Sequence, residues 1–202
     1  MRIIGVTGPT GSGKSYLCSA LSDRGIPCID ADEVYHSLLI PPSACLDALR
    51  EAFGDGVFAP DGSLDRTALG SIVFASPEKL ELLNRTVLGH VLDRTRDMLA
   101  ELEQKGHGVA VVDAPTLIES GFHRECDTVI SVIAPPEVRL KRIITRDAIT
   151  KEAALRRISA QKSDSFYAEA SDTVLINDGD RKAFEDKVDR LLESIVQALP
   201  KG

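Results

Sequence analysis

An octapeptide near the start of the chain constrains its fold more than any other feature. Residues 8–15 read Gly-Pro-Thr-Gly-Ser-Gly-Lys-Ser, the G-x-x-x-x-G-K-[ST] spacing of a phosphate-binding loop. An apolar run at residues 2–6 precedes it and a helical pattern follows it, which places the loop between a strand and a helix. Glycines let successive backbone N–H groups turn toward one anion, and the following helix dipole adds its positive end.

The individual positions of this loop predict separate contacts with a nucleotide. Lys14 is expected to reach the outer phosphates as a point charge, and Ser15 to offer its hydroxyl to Mg²⁺. The alternative is a glycine-rich turn without a ligand, which the flanking strand and helix patterns disfavour. The residues predicted to bind ATP in this segment are Gly11, Ser12, Gly13, Lys14, Ser15 and the next residue, Tyr16.

Length, charge and cysteine usage narrow the class of protein. The 202 residues suffice for one sizeable core with a helical insertion, and the net charge of −7 disfavours nucleic acid or an anionic membrane as a partner. Four cysteines stand without metal-binding spacing, and no apolar stretch approaches the roughly 20 residues of a membrane span. We therefore expect a cytoplasmic protein with reduced thiols and no signal peptide.

Apolar runs and helical patterns alternate at both ends of the chain. This alternation predicts an α/β fold, a three-layer parallel sheet flanked by helices, with ligands bound beyond the carboxyl ends of the strands. The predicted strands are residues 2–6, 26–29, 108–113, 128–133 and 173–176, with a helix at 14–24 after the first strand.

The middle of the chain has a different pattern, with no core strand. Helical periodicity covers residues 44–53, 66–74 and 78–103, separated by turns rich in Gly, Pro and Asp. We interpret residues 34–105 as a helical insertion into an α/β core that comprises residues 1–33 and 106–202.

Three acidic residues follow predicted strands. Asp30 and Asp32 end the second strand, and Asp113 ends the apolar run Val109-Ala110-Val111-Val112. A carboxylate at such a position can hold Mg²⁺ or accept a proton from a substrate hydroxyl, whereas the alternative is that each caps a helix. The two readings are evenly matched for Asp30. For Asp32 we favour a functional role, which His36, one helical turn later, could share.

Three arginines are spaced for one helix face. They are Arg139, Arg142 and Arg146, at positions i, i+3 and i+7. Their like charges repel one another unless a nearby anion neutralises them. In a phosphoryl-transfer enzyme that anion is the transferring group, and arginine there accelerates the reaction by roughly 10³–10⁵. The alternative is a solvated face balanced by Glu137 and Asp147.

Short motifs continue along nearly the whole chain after the loop. They are Ile29-Asp30-Ala31-Asp32, Phe53-Gly54, Asp61-Gly62-Ser63-Leu64-Asp65-Arg66, Asp113-Ala114-Pro115-Thr116-Leu117-Ile118-Glu119, Arg139-Leu140-x-Arg142, Arg146-Asp147, Arg157-Ile158-x-x-Gln161, and Asp172 leading to Asn177. In this order they resemble the dephospho-CoA kinase family. The loop is shared with many enzymes, whereas the Asp-Ala-Asp, Leu-Asp-Arg and Arg-Ile-x-x-Gln segments are far more specific.

The resemblance implies a phosphate-loop kinase fold with a helical acceptor insertion and a mobile lid at about residues 139–162. It implies transfer of the ATP γ-phosphoryl to the ribose 3′-hydroxyl of dephospho-CoA, with Mg²⁺ as cofactor, ATP and dephospho-CoA as substrates, and a monomer or weak oligomer. Asp113 and Ser15 are the expected metal ligands.

Residue by residue, the resemblance makes Asp32 the base for the 3′-hydroxyl, Arg139 and Arg142 lid residues that act with Lys14 in catalysis, and Asn177 a neighbour of the adenine. The implied acceptor-binding residues are Asp32, His36, Asp65, Arg66, Pro115 and Leu117. The chain departs from the family pattern at Tyr16, where Thr is usual, at His36, where Arg is commonest, and at Leu88-Gly89, where a His-Pro pair is expected.

Other functions remain as alternatives. A related phosphate-loop kinase would phosphorylate a nucleoside, nucleotide or other metabolite, and a non-catalytic nucleotide sensor would bind ATP without turnover. A GTPase switch is disfavoured, because the chain has no Asn-Lys-x-Asp segment and Asp113 begins Asp-Ala-Pro-Thr instead of Asp-x-x-Gly.

Overall fold

A computed structural model describes residues 1–197 and places a parallel sheet at the centre of the fold. The strand order is β2-β3-β1-β4-β5, and the pairs β1–β3, β1–β4 and β4–β5 are parallel. The predicted α/β architecture is therefore confirmed. The strands are β1 (Arg2–Thr7), β2 (Cys28–Asp30), β3 (Val109–Asp113), β4 (Thr128–Ile133) and β5 (Thr173–Ile176).

Helices occupy the connections between the strands and the whole central part of the chain. Between residues 34 and 105, the described chain has one isolated bridge, Phe58–Leu64, and no strand, as predicted. The helices are α1 (Lys14–Ser22), α2 (Ala31–Leu38), α3 (Ala44–Phe53), α4 (Arg66–Val73), α5 (Pro77–Gln104), α6 (Pro136–Asp147), α7 (Lys151–Ser159), α8 (Asp164–Glu169) and α9 (Arg181–Gln197), with 3₁₀ turns at Asp55–Val57 and Phe122–Glu125.

The chain separates into two compact units. One, here called the sheet unit, comprises Met1–Cys28 and the chain from Leu102 onward; the other, the helical unit, is Ile29–Glu101. The boundaries predicted from the sequence, at residues 33 and 106, lie C-terminal of these positions.

Both faces of the sheet are covered, since consecutive residues of β3 from Val109 to Val112 are buried, and one of the two faces forms a large apolar cluster with α1 and α9. Val6, Val111 and Ile130 lie buried in the sheet, and Leu17 of α1 and Leu192 of α9 pack in the same cluster. Parallel strands covered on both faces become continuous apolar runs, which is the pattern that the sequence shows. Each such side chain, fully buried, contributes about 1.5–3 kcal/mol.

The helical unit has smaller apolar clusters of its own. Cys45, Leu46 and Leu49 of α3 form one cluster, and Leu69 and Val73 of α4 belong to another. Partly buried Phe53, Phe58, Leu64 and Leu83 pack against both clusters and so join them.

Strand β2 is the element that departs most from its predicted bounds. It covers Cys28–Asp30 instead of residues 26–29. Pro27 precedes it and has no N–H to donate to a sheet, although its carbonyl accepts a hydrogen bond from the Val111 N–H at 2.8 Å. Within the described residues, no helix is long and apolar enough to cross a membrane.

Candidate active site

The phosphate-binding loop joins β1 to α1, and its conformation depends on glycine. Gly8, Gly11 and Gly13 have φ values of 133°, 77° and 111°, which L side chains rarely adopt. A Cβ atom at Gly8 would lie 2.1 Å from the carbonyl oxygen of Val132 in β4. The loop therefore lies directly against a neighbouring strand, with no room for a side chain at this position.

The N-terminus of α1 differs from those of the next helices along the chain. Gly13 precedes α1 and provides no side-chain acceptor, whereas side chains of Asp30, Ser43 and Asp65 accept hydrogen bonds from first-turn N–H groups of α2, α3 and α4. Helix N-terminal amides without a capping side chain suit an anionic ligand.

Lys14 and Asp113 lie at this end of the sheet unit. The Lys14 Nζ donates to the Gly8 carbonyl at 2.8 Å. This hydrogen bond connects the C-terminal end of the loop to its first residue. Asp113 ends β3 and pairs in register with Val6 of β1, which lies two residues before the loop begins at Gly8. A hard oxygen pair, the exposed Ser15 hydroxyl and the Asp113 carboxylate, fits Mg²⁺ by donor chemistry.

Cys18 is a contact of Asp113 that the sequence did not predict. Its Sγ donates to Asp113 Oδ2 at 3.3 Å. A hydrogen bond with Cys28, burial and the nearby charge of Asp113 raise the pKa of the Cys18 thiol above its ordinary value, so the thiol stays protonated. One sequence signal could have pointed to Cys18 as a site residue: it stands four residues after Lys14 and therefore on the same face of α1.

Arg139, at the start of α6, contacts the loop from outside. It is 3% exposed, and its Nε donates to the Thr10 carbonyl at 3.0 Å. Its Nη2 donates to Gln161 Oε1 at 2.5 Å, and the Thr10 N–H donates to the same Gln161 oxygen at 3.2 Å. Burial lowers the pKa of Arg139 while the charge of Asp164 opposes this shift.

Arg142 and Asn177 hold the next part of the loop. Arg142 Nη1 lies 3.2 Å from the carbonyl oxygens of both Gly11 and Ser12, and its Nη2 donates to Asn177 Oδ1 at 2.8 Å. The Asn177 Nδ2 donates in turn to the Ser12 carbonyl at 2.8 Å. Asn177 is 3% exposed, and both the oxygen and the nitrogen of its side-chain amide form hydrogen bonds within the protein.

Arg146, further along α6, also reaches the loop, where its Nη2 donates to the Thr10 hydroxyl at 3.3 Å. It is exposed and pairs with Asp147, whose Oδ1 lies 2.6 Å from Arg146 Nε and which also pairs with Arg157. The hydrogen bond from Arg146 lowers the pKa of Asp147. Of the two predictions for the arginine face, balance by Asp147 therefore describes only part of the environment of Arg146, because all three arginines contact the loop.

In the helical unit, Asp30, Asp32, Asp65 and Arg66 lie at helix starts, and His36 lies in the last turn of α2. Asp30 Oδ1 accepts from the N–H groups of Asp32 and Glu33, which makes Asp30 the cap of α2, as one of its two predicted roles required. The Asp32 and His36 side chains are exposed on α2. Asp65 caps α4, and the adjacent Arg66 is exposed.

The remaining predicted residues occupy varied environments in the sheet unit. The Thr7 hydroxyl donates to the Pro115 carbonyl at 3.4 Å. Leu117 is fully buried and lies 2.6 Å from where a Cβ of Gly5 would be, so an acceptor contact through its side chain would require the core to open. The Tyr16 ring is 38% exposed, with its centroid 5.8 Å from that of Phe184.

A metal ion at this site would need ligands beyond the protein. Among residues 1–197, no group of three or more His, Cys, Asp or Glu side chains is arranged to hold one. Mg²⁺ in phosphoryl-transfer sites is typically bound by one or two carboxylates together with substrate phosphates and water, so Ser15 and Asp113 remain a sufficient protein contribution.

Comparison with known proteins places this geometry in a family. The family model described as CoaE, dephospho-CoA kinase, matches residues 2–183. A dephospho-CoA kinase of Corynebacterium glutamicum is 35% identical over 97% of this chain and 98% of its own length. That of Streptomyces avermitilis is 38% identical over 93% of this chain and 91% of its own.

Solved structures share the fold. TT1252 from Thermus thermophilus aligns with a TM-score of 0.81 and 29% identity, covering 99% of this chain and 98% of its own. Dephospho-CoA kinase from Campylobacter jejuni aligns with a TM-score of 0.72 and 24% identity, covering 96% and 98%.

Proposed function

The chain belongs to the dephospho-CoA kinase family, and we propose a role in phosphoryl transfer for each of its candidate residues. It catalyses the ATP-dependent phosphorylation of dephospho-CoA to CoA, the last step of CoA biosynthesis. The observation that carries this conclusion is the family match over residues 2–183, which includes both the phosphate loop and the helical unit.

ATP is proposed to bind with its phosphates in the loop. The loop residues Gly11, Ser12 and Gly13 are the proposed phosphate contacts, and the N-terminus of α1 has no capping side chain that would take the place of an anion. Lys14 contributes a positive charge, and Tyr16 and Asn177 belong to the proposed nucleotide contacts. Because the transition state is loose and spreads charge over three oxygens, the protein mainly positions the reactants and neutralises charge.

A divalent cation is a general requirement of kinases that use ATP, and we propose Mg²⁺ here. Ser15 and Asp113 would hold it together with phosphate oxygens. When bound, such an ion neutralises developing negative charge on the phosphates. The protonated Cys18 thiol then serves Asp113 as a hydrogen-bond donor without competing as a thiolate ligand.

Asp32 is proposed as the base of the reaction. Its exposed carboxylate can accept a hydrogen bond from a substrate hydroxyl, whereas Asp30 beside it is occupied with capping α2. As the 3′-oxygen of dephospho-CoA bonds to the γ-phosphorus, the bond from that phosphorus to ADP breaks and the hydroxyl proton moves to Asp32. General-base catalysis of this kind contributes about 10²–10⁴ in rate.

Arg139 and Arg142 are proposed to support the transition state from behind the loop. Their hydrogen bonds to the carbonyls of Thr10, Gly11 and Ser12 hold the backbone of the loop in the conformation that is proposed to receive phosphate. His36, Asp65, Arg66 and Pro115 are proposed acceptor contacts. We also propose a monomeric, cytoplasmic enzyme, which four cysteines without disulfides would suit.

The test compares two single carboxylate removals in the same tripeptide. Asp32→Asn is expected to lower kcat with dephospho-CoA by about 10²–10⁴ while leaving ATP affinity near the wild-type value. Asp30→Asn is the matched control, because Asn caps helices as well as Asp does, and it should retain kcat. Product is measured by chromatography, with phosphorus NMR to locate the new phosphate on the 3′-oxygen.

Three results would contradict parts of this proposal. Turnover of another nucleoside or nucleotide without turnover of dephospho-CoA would reject the substrate. ATP binding without acceptor-dependent ADP release would reject the enzyme. Full activity of Asp32→Asn would reject only the assignment of the base.

A further inference from the structure

Both ends of the predicted lid segment, residues 139–162, meet at one residue of the phosphate loop. Arg139 Nε donates to the Thr10 carbonyl at 3.0 Å, and the Thr10 N–H donates to Gln161 Oε1 at 3.2 Å. Arg139 Nη2 closes the ring by donating to that same Gln161 oxygen at 2.5 Å. Residues separated by 129, 151 and 22 positions in sequence are thereby held in one small cycle of hydrogen bonds.

The central atom of this cycle is the Gln161 Oε1. An amide oxygen has two lone pairs, and here one accepts from a backbone N–H and the other from a guanidinium. Since Arg139 is 3% exposed, little water is available to replace that acceptor. Removal of the Gln161 oxygen would leave this buried, charged donor with fewer hydrogen-bond partners, which is unfavourable.

The packing around the cycle leaves little room for adjustment. A Cβ atom at Gly11, next to Thr10, would lie 3.1 Å from the carbonyl oxygen of Arg139. The first turn of α6 therefore contacts the loop backbone directly. A shift of Gln161 or Arg139 would be transmitted to the loop, whose amides are the proposed phosphate contacts.

We propose that Gln161 is a positioning residue for phosphoryl transfer, one that fixes Thr10 and thereby the loop relative to the segment that begins at Arg139. The proposal rests on the kinase function proposed above. Gln161 does not need to touch ATP, because it acts through the Thr10 peptide and the Arg139 guanidinium. Small misplacement of groups that orient the reactants can cost about 10²-fold in rate.

Two substitutions at position 161 separate the acceptor from side-chain size. Gln161→Met keeps the length of the side chain and removes the amide, so kcat should fall by about 10–100-fold, with a larger share of ADP released without phosphorylated acceptor. Gln161→Glu keeps an oxygen acceptor for both donors and should stay within about threefold of wild type. Gln104→Met, at an exposed position in α5, is the matched control and should leave both quantities unchanged.

Amide hydrogen exchange gives a readout that does not depend on turnover. Gln161→Met should speed exchange at the Thr10 N–H, whereas Gln161→Glu and Gln104→Met should not. If wild-type protein fails to phosphorylate dephospho-CoA, the proposed function fails, and exchange at Thr10 still decides the role of Gln161.

The proposal is overturned if Gln161→Met matches Gln104→Met in kcat and in uncoupled ADP release. It is also overturned if Gln161→Glu loses as much activity as Gln161→Met, since the size and packing of glutamine would then matter more than its acceptor oxygen. Unchanged exchange at Thr10 in Gln161→Met would overturn it as well.

Discussion

The candidate residues of the sheet unit and of the helical unit are held in place by different kinds of contact. Around the phosphate loop, Arg142 and Asn177 reach backbone groups that lie 130 and 165 positions away in sequence. In the helical unit, Asp30 and Asp65 bond to N–H groups two and three residues further on. The first site is assembled by tertiary structure, whereas the second follows from local helix ends.

The residues that brace the loop from behind also differ in exposure from the polar candidates of the helical unit. Arg139 and Asn177 are each 3% exposed, while Asp32, His36 and Arg66 are exposed to solvent. Buried polar groups must be hydrogen-bonded, since each unsatisfied one costs about 1–3 kcal/mol. We infer that the loop is rigid before substrate binds, and that the polar candidates of the helical unit are free to adjust to a substrate.

The largest contrast between the units is expected at glycines. Gly8→Ala should destabilise the protein by roughly 3 kcal/mol, because its Cβ would meet the Val132 carbonyl at 2.1 Å with a φ of 133°. Gly89→Ala, in the middle of α5 with no atom within 4 Å of the new Cβ, should stabilise it by about 0.5–1 kcal/mol. Urea unfolding of both variants measures the difference, and equal effects would remove the contrast.

Asn177 provides a test of the tertiary contacts themselves. Asn177→Ala leaves Arg142 Nη2 and the Ser12 carbonyl without their shared partner and should reduce the free energy of unfolding by about 1–3 kcal/mol. Asn84→Ala, exposed on α5, is the control and should change it by no more than about 0.5 kcal/mol. Thermal and urea unfolding supply the measurement. Similar values for the two variants would mean that the contacts around the loop contribute little.

Asp65 provides the smaller, local effect. Asp65→Ala should cost about 1 kcal/mol because it removes the cap of α4, whereas Asp65→Asn should leave stability close to wild type. The KM for dephospho-CoA then separates capping from substrate contact. A raised KM in Asp65→Asn, with unchanged unfolding, would support the acceptor role and sharpen the division between the units. An unchanged KM in Asp65→Asn leaves Asp65 as a cap alone.

The sequence predicted elements well where the pattern was strictly local. The bounds of β4 and β5 and of helix α3 agree with prediction, because apolar runs and helical periodicity are read over a few residues. The start of the second strand was misplaced because the prediction did not weigh Pro27, which has no N–H to donate to a sheet. Cys18 was overlooked for a different reason, since its partner Asp113 is 95 positions away.

The arginine face shows how far spacing alone can be taken. The i, i+3, i+7 pattern placed Arg139, Arg142 and Arg146 on one helix face without saying what each would contact. The fold brings loop carbonyls to the first two, and it brings both the Thr10 hydroxyl and Asp147 to the third. The sequence shows that these three residues are charged, but it does not show which groups they contact.

The phosphate loop, the alternation of strands and helices, the helical unit and the family could be read from the amino-acid sequence, because each is encoded by residues that stand close together in the chain. The cycle of hydrogen bonds among Thr10, Arg139 and Gln161, and the contacts of Asn177 with Ser12 and Arg142, became known from the fold. Buried polar groups need hydrogen-bond partners, and the packing of distant segments sets which groups those partners are.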